Sequence, residues 1–166
     1  MERHPVGSLG SKGSRAMTAS GSKAANRLSA GAVVVRREAG GHSFLLLRAY
    51  RNWDFPKGEV GEGEEPLAAA RREVSEETGI VDLVFPFGTS FYETPVYSRD
   101  KVARYYLVET ATERVRLGVN PELGRPEHHE FRWLRHGDAR PLLVERVRGV
   151  LDWAEERLAT AAPGGA

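Results

Sequence analysis

Apolar positions along the chain fall into short runs set between polar and glycine-rich segments, and their spacing changes from strand-like to helix-like in two places. Residues 31–37 contain Ala32-Val33-Val34-Val35 and predict a strand. Gly40-Gly41 predicts a hairpin turn, and residues 43–48 its second strand. The unbroken run Phe44-Leu45-Leu46-Leu47 suits a strand covered on both faces. A Gly- and Glu-rich loop is expected over 54–65, and a helix over 66–78. Pro66 suits a first helical turn, and Gly79 a left-handed cap just past the end. Further strands are expected at 83–94, 102–110 and 131–134. Asn120-Pro121 and Arg125-Pro126 make 113–129 mostly loop. A second helix is expected over 141–158, where Val147, Val150, Leu151, Ala154 and Leu158 form one stripe that packs on the core. The order strand, strand, helix, strands, helix predicts an α/β domain with a mixed sheet between helices.

Residues 1–27 break this pattern. They are rich in Ser, Gly, Lys and Arg and read as a flexible basic tail, with a later start at Met17 or a transit segment as alternatives. The folded domain is expected over 28–160, with a disordered stretch at 161–166. The 166 residues suit one domain, and 40% hydrophobic residues are enough for a core. A net charge of +1 gives no global basic field for bulk nucleic-acid binding, so an anionic partner must be held by local cations. The absence of cysteine excludes disulfides, thiolate zinc sites and cysteine nucleophiles, and is compatible with the cytoplasmic location we expect. No apolar run approaches the roughly 18 residues of a membrane span, so no membrane partner is expected. Composition leaves the oligomeric state open.

The candidate chemistry lies in Arg72-Glu73-Val74-Ser75-Glu76-Glu77-Thr78-Gly79-Ile80. At ~100° per residue, Glu73, Glu76 and Glu77 share an arc of about 100°, beside an apolar stripe of Leu67, Ala70 and Val74. Like charges at these spacings repel, and the C-terminal turns of a helix are already negative. Bound divalent cations reverse that cost. All-oxygen ligands point to Mg2+, with Mn2+ as a substitute.

Gly58, then Glu64, then residues 72–80 fill every specified position of the Nudix box, so the chain resembles the Nudix hydrolases from about residue 29 to 158. The resemblance implies a Nudix-type α/β/α sandwich in which the box forms a loop–helix–loop. It implies that Glu73 and Glu77 ligate divalent metal, and that Glu76 ligates a further metal or helps activate water. The Gly58 carbonyl and Glu59 lie at the loop end of such a site. Arg72 and Glu64 form a structural ion pair, and Gly79 closes the helix. A later-loop carboxylate often completes the metal site; Glu127 is the first choice, ahead of Glu130 and Glu122.

Trp53-Asp54-Phe55-Pro56-Lys57-Gly58 resembles the segment of bis(5′-nucleosyl)-tetraphosphatases and of diphosphoinositol-polyphosphate hydrolases. Residues 47–52 and 101–107 strengthen the first likeness. It implies a metal-dependent pyrophosphohydrolase that binds a nucleotide polyphosphate, with diadenosine tetraphosphate leading, and yields a nucleoside triphosphate and a monophosphate. Arg48, Arg51, Lys57 and Lys101 are candidate phosphate contacts. Tyr105 or Tyr106 is a candidate base-stacking wall, alternation placing one on each sheet face. His42 reads as a solvated turn residue, and His128 and His129 as exposed loop residues. The alternatives are a diphosphoinositol polyphosphate, an RNA 5′ end or a nucleoside triphosphate as substrate. A non-catalytic nucleotide sensor is disfavoured because the box is intact.

Overall fold

The computed structural model describes residues 26–161. The expectations for the N-terminal tail up to 25 and for 162–166 lie outside the described residues. The chain runs β1 (Arg27–Glu38), β2 (Gly41–Ala49), β3 (Asn52–Asp54), β4 (Lys57–Glu59), α1 (Pro66–Thr78), β5 (Phe91–Glu93) and β6 (Lys101–Glu109). It continues through β7 (Val119–Asn120), β8 (Arg125–Pro126), β9 (Glu130–Leu134), α2 (His136–Ala139), a tight turn at Arg140–Leu142 and α3 (Glu145–Ala161).

Seven strands form one mixed sheet. β6 runs parallel along one edge of β1, from Arg27↔Lys101 to Val35↔Glu109. The other edge of β1 is shared: β2 pairs with its far end (Val35↔Phe44) and β4 with its near end (Ser29↔Glu59). β1 and β2 therefore splay apart, and the β3–β4 connection fills the gap, with the Ala32 N–H bonded to the Pro56 carbonyl at 3.1 Å. Only glycine fits at position 31, because a Cβ there would collide with the Pro56 carbonyl. This splay sets Lys57 and Gly58 at the open end of the sheet.

Side-chain alternation divides the core into two layers. Phe44 and Leu46 pack with Val33, Tyr105 and the α3 stripe of Val147, Val150, Leu151, Ala154 and Leu158. Leu45 and Leu47 pack with Val34, Val108 and the α1 residues Ala69, Ala70 and Val74. The result is an α/β/α sandwich, with β2 covered on both faces as its sequence required. α1 begins at Pro66 and ends as expected at Gly79, whose φ of 75° is left-handed and whose N–H bonds to the Ser75 carbonyl.

Several boundaries differ from the sequence reading. The expected strand over 83–94 shrinks to β5 plus an isolated bridge between Val84 and Glu109. Pro86 has no N–H to donate, and Gly88 (φ 82°) turns the chain back on the Phe85 carbonyl. The second helix starts at Glu145 rather than at 141, because Leu143 is extended (ψ 143°) and breaks the helical path. The hairpin turn sits one residue earlier than expected, Gly41 already lying in β2. β4 and the β7–β8 pair fall in segments read as loop.

Candidate active site

α1 reaches the open end of the sheet with its carboxylate edge facing β4, and the two elements share one cluster. Glu77 Oε2 accepts the backbone N–H of Lys57 at 3.0 Å. The Glu73 carboxylate lies directly over the Gly58 α-carbon, where a Cβ would strike its carboxyl atoms. Arg72 grips Glu64 with two N–H donors at 2.9 Å each, and donates to Glu73 at 2.8 Å, to Glu76 at 3.2 Å and to the Glu59 carbonyl at 3.2 Å. Glu64 in turn accepts the Gly61 N–H, and these bonds, Arg72 foremost, pull its pKa down to about 2. Glu64 and Arg72 thus clamp the loop between β4 and α1. From the other side the chain closes over α1 at Gly118, where a Cβ would collide with the Glu76 carbonyl.

The groove so formed has a volume of about 740 Å³ and is lined by Glu73, Glu76, Glu77, Gly58 and Glu59, by Lys57 and Lys101, and by Glu122, Glu127 and His128. Its electrostatics are strongly unbalanced. Burial, then the charges of Glu73 and Glu127, push the Glu77 carboxyl up to about 9. Burial also raises Glu73, against the pull of Arg72. Carboxyl groups crowded to this degree hold their charges at neutral pH only with a cation among them. Glu77, Glu127 and His128 each offer a ligand atom, and the three atoms lie within 4.8 Å of one another. Two ligands facing each other across one small cation stand about 4.2 Å apart. That spacing fits a divalent cation, which Glu77, Glu127 and His128 could hold, with Glu73 and Glu76 lining the same groove.

Lys57 puts its backbone on Glu77 and its ammonium 3.5 Å from Asp54. Burial pulls the ammonium towards neutrality, but Asp54 and further charges outweigh it and leave its pKa above the ordinary lysine value. Asp54 also accepts the Tyr105 hydroxyl at 2.8 Å and lies 3.9 Å from Arg146 of α3. Arg146 itself stacks 3.9 Å above the Tyr97 ring.

The other expected substrate contacts are placed differently. Arg48 and Arg51 do not line the groove: Arg48 pairs with Glu130 at 3.0 Å and lies over the Trp53 ring, while Arg51 faces solvent. Glu130 is held between Arg48 and Arg132 and takes no part in the cluster. Neither tyrosine presents a free ring. Tyr105 is fully buried between Phe55 and the α3 layer, and Tyr106 is buried on the opposite face against Phe91. The wide α3 layer covers the face on which Tyr105 would otherwise be open, so alternation separates the two rings without exposing either. Trp53 plugs the core edge. His42 is half-buried against Phe87 rather than solvated. His129 is exposed as expected, but His128 is half-buried in the groove. Sequence reasoning also missed Arg27, Ser29 and Asn120 as lining residues. They reach the groove through the start of β1 and the β7–β8 turn, and no local motif marks them.

The chain is similar to several known proteins. A family model described as NUDIX domain matches residues 25–154. An RNA pyrophosphohydrolase of Caulobacter vibrioides is 35% identical over 113 residues, covering 61% of this chain and 66% of that protein. The chain thus spans just under two thirds of that relative's length. The asymmetrical bis(5′-nucleosyl)-tetraphosphatase of Caenorhabditis elegans is 32% identical over 117 residues, covering 66% of this chain and 80% of that one. A crystal structure of a C. elegans Ap4A hydrolase binary complex superposes with a TM-score of 0.68 at 27% identity, over 81% of this chain and 98% of that one.

Proposed function

The chain belongs to the NUDIX family, and we propose that it is a divalent-metal-dependent pyrophosphohydrolase that cleaves dinucleoside tetraphosphates asymmetrically. The observation that carries the hydrolytic reading is the convergence of Glu73, Glu76, Glu77 and Glu127 on one groove that also holds Lys57 and Lys101. Lys57 and Lys101 would meet the phosphate oxygens, and the carboxylates a charge-neutralising metal. When bound, such a metal lowers the pKa of water and neutralises phosphate oxygens, as the hydrolysis of a polyanion requires.

The chain's own residues then do the following. Glu73 and Glu77, anchored by Arg72 and by the Lys57 N–H, hold their carboxylates in place. Glu76, 58% exposed and bonded to Arg72 through Oε2 at 3.2 Å, accepts the proton of the attacking water on its other oxygen. The water oxygen bonds to phosphorus, one P–O–P bond breaks, and the leaving oxygen departs on the shorter polyphosphate. Lys57 and Lys101 neutralise the remaining charge along the substrate. The products are a nucleoside triphosphate and a nucleoside monophosphate.

The substrate rests on the likeness to the C. elegans tetraphosphatase, which this chain covers over 80% of its length. A second reading, removal of pyrophosphate from an RNA 5′ end, is supported by the likeness to the Caulobacter RNA pyrophosphohydrolase. A panel of diadenosine tetraphosphate, 5′-triphosphorylated RNA and mononucleoside triphosphates, assayed with Mg2+ and resolved by anion exchange, separates them. We expect ATP and AMP from the dinucleotide at the highest kcat/KM. Rapid pyrophosphate release from RNA with an inert dinucleotide would establish the second reading instead.

A further inference from the structure

His128 occupies a position in the groove that the glutamate chemistry does not require. Its ring is half-buried, and one of its nitrogens lies within 4.8 Å of the ligand oxygens of both Glu77 and Glu127. The backbone holds this placement: the His129 N–H bonds to the Arg48 carbonyl at 3.0 Å, and Glu130 is fixed by Arg48 and Arg132. The loop is thus tied to β2 just past His128.

An imidazole nitrogen changes which cation such a site prefers. Mg2+ seeks oxygen and keeps its waters, whereas Zn2+, Fe2+ and Ni2+ accept imidazole readily and Mn2+, less reluctant to shed water, takes it more easily than Mg2+ does. We propose that Glu77, Glu127 and His128 form a mixed nitrogen–oxygen cation site that takes a first-row transition metal, Mn2+ among them, in preference to Mg2+. This rests on the metal-groove reading above, since Glu77 is shared, but it adds a ligand and a selectivity that four carboxylates alone do not provide. The consequence is an enzyme whose best cation is set by one loop histidine beside the box.

The test uses the full chain, stripped of metal and titrated with Mn2+. Pulsed electron paramagnetic resonance of the bound Mn2+ should show nitrogen-14 modulation from a coordinated imidazole. His128→Gln should remove the modulation and weaken Mn2+ binding by about tenfold or more, while the Mg2+ affinity, read by competition, changes less than about twofold. His129→Gln should retain both the modulation and the affinity. Replacing nitrogen-14 by nitrogen-15 in the histidines of the unaltered chain should change the modulation pattern, so the result does not depend on a variant that folds. Absent modulation in the unaltered chain, modulation that survives in His128→Gln, or an equal loss of Mg2+ and Mn2+ affinity would each overturn the assignment. Those outcomes leave Mg2+-supported hydrolysis of the dinucleotide standing. Conversely, nitrogen coordination with no cleavage of any polyphosphate would leave the site and remove the hydrolase.

Discussion

Glu77→Gln separates the stability cost of the site from its use. In the native state the Glu77 carboxyl is pushed up to about 9, whereas its ordinary value is 4.5. Between those values the native protein holds a proton that the unfolded chain has released. Stability of the metal-free protein therefore falls as pH rises through that window. At pH 7 the unfolded carboxyl lies about 2.5 units above its midpoint, which at ~1.36 kcal/mol per unit sets a ceiling of about 3 kcal/mol on the cost. Gln has nearly the same shape, keeps an acceptor oxygen for the Lys57 N–H, and does not titrate. In a chelator, the variant should match the original chain near pH 4.5. At pH 7 it should be more stable by about 1–3 kcal/mol, a rise of roughly 2–12 °C in Tm. Saturating Mg2+ should cancel the gain, because a ligand at a hundred times its Kd stabilises the original chain by ~2.7 kcal/mol. Turnover in Mg2+ should drop by orders of magnitude. Thermal unfolding followed by circular dichroism from pH 4.5 to 8, with chelator and with Mg2+, measures all of this. A metal-free variant no more stable than the original at pH 7, or a gap that ignores pH, would refute the electrostatic account of the groove.

Three other perturbations probe separate parts of the site. Gly58→Ala places a Cβ on the Glu73 carboxylate, so Mn2+ affinity should fall by about tenfold or more and turnover with it, as titration and product assays would show. Tyr105→Phe removes a buried hydroxyl bonded to Asp54; urea denaturation should register a loss of about 1–2 kcal/mol while the KM for a dinucleotide barely moves, because this ring does not face the groove. Lys101→Ala removes a cation from the groove wall and should raise KM by about tenfold, at ~1.4 kcal/mol for one charge-assisted phosphate contact, with kcat largely kept in steady-state assays.

Legibility along the chain tracked how local the controlling physics was. α1, its Pro66 start, its Gly79 cap and its carboxylate edge were readable because helix periodicity and capping act within a few residues. The Phe44–Leu47 run announced a strand buried on both faces, and the two core layers agree. The split of the expected 83–94 strand was written in Pro86 and Gly88, but apolar content outweighed them in the reading. The delayed start of α3 depended on Leu143 turning extended against the core, which no helix pattern reveals.

The site divides along the same line. Spacing within one helix placed Glu73, Glu76 and Glu77 together before any fold was known, because carboxylates three and four residues apart must share an edge; the resemblance to the Nudix box added Gly58, Glu64 and Arg72. The sequence alone therefore determined that this chain carries a carboxylate edge suited to divalent cations. The tertiary structure alone decided which distant groups face that edge. Arg48 and Arg51 turn away, both tyrosines sink into opposite core layers, and Lys57, Lys101, Glu127 and His128 come in. Those outcomes depend on how β1 and β2 splay and on which sheet face α3 covers. They are set by packing between segments up to a hundred residues apart, and no short-range pattern encodes them.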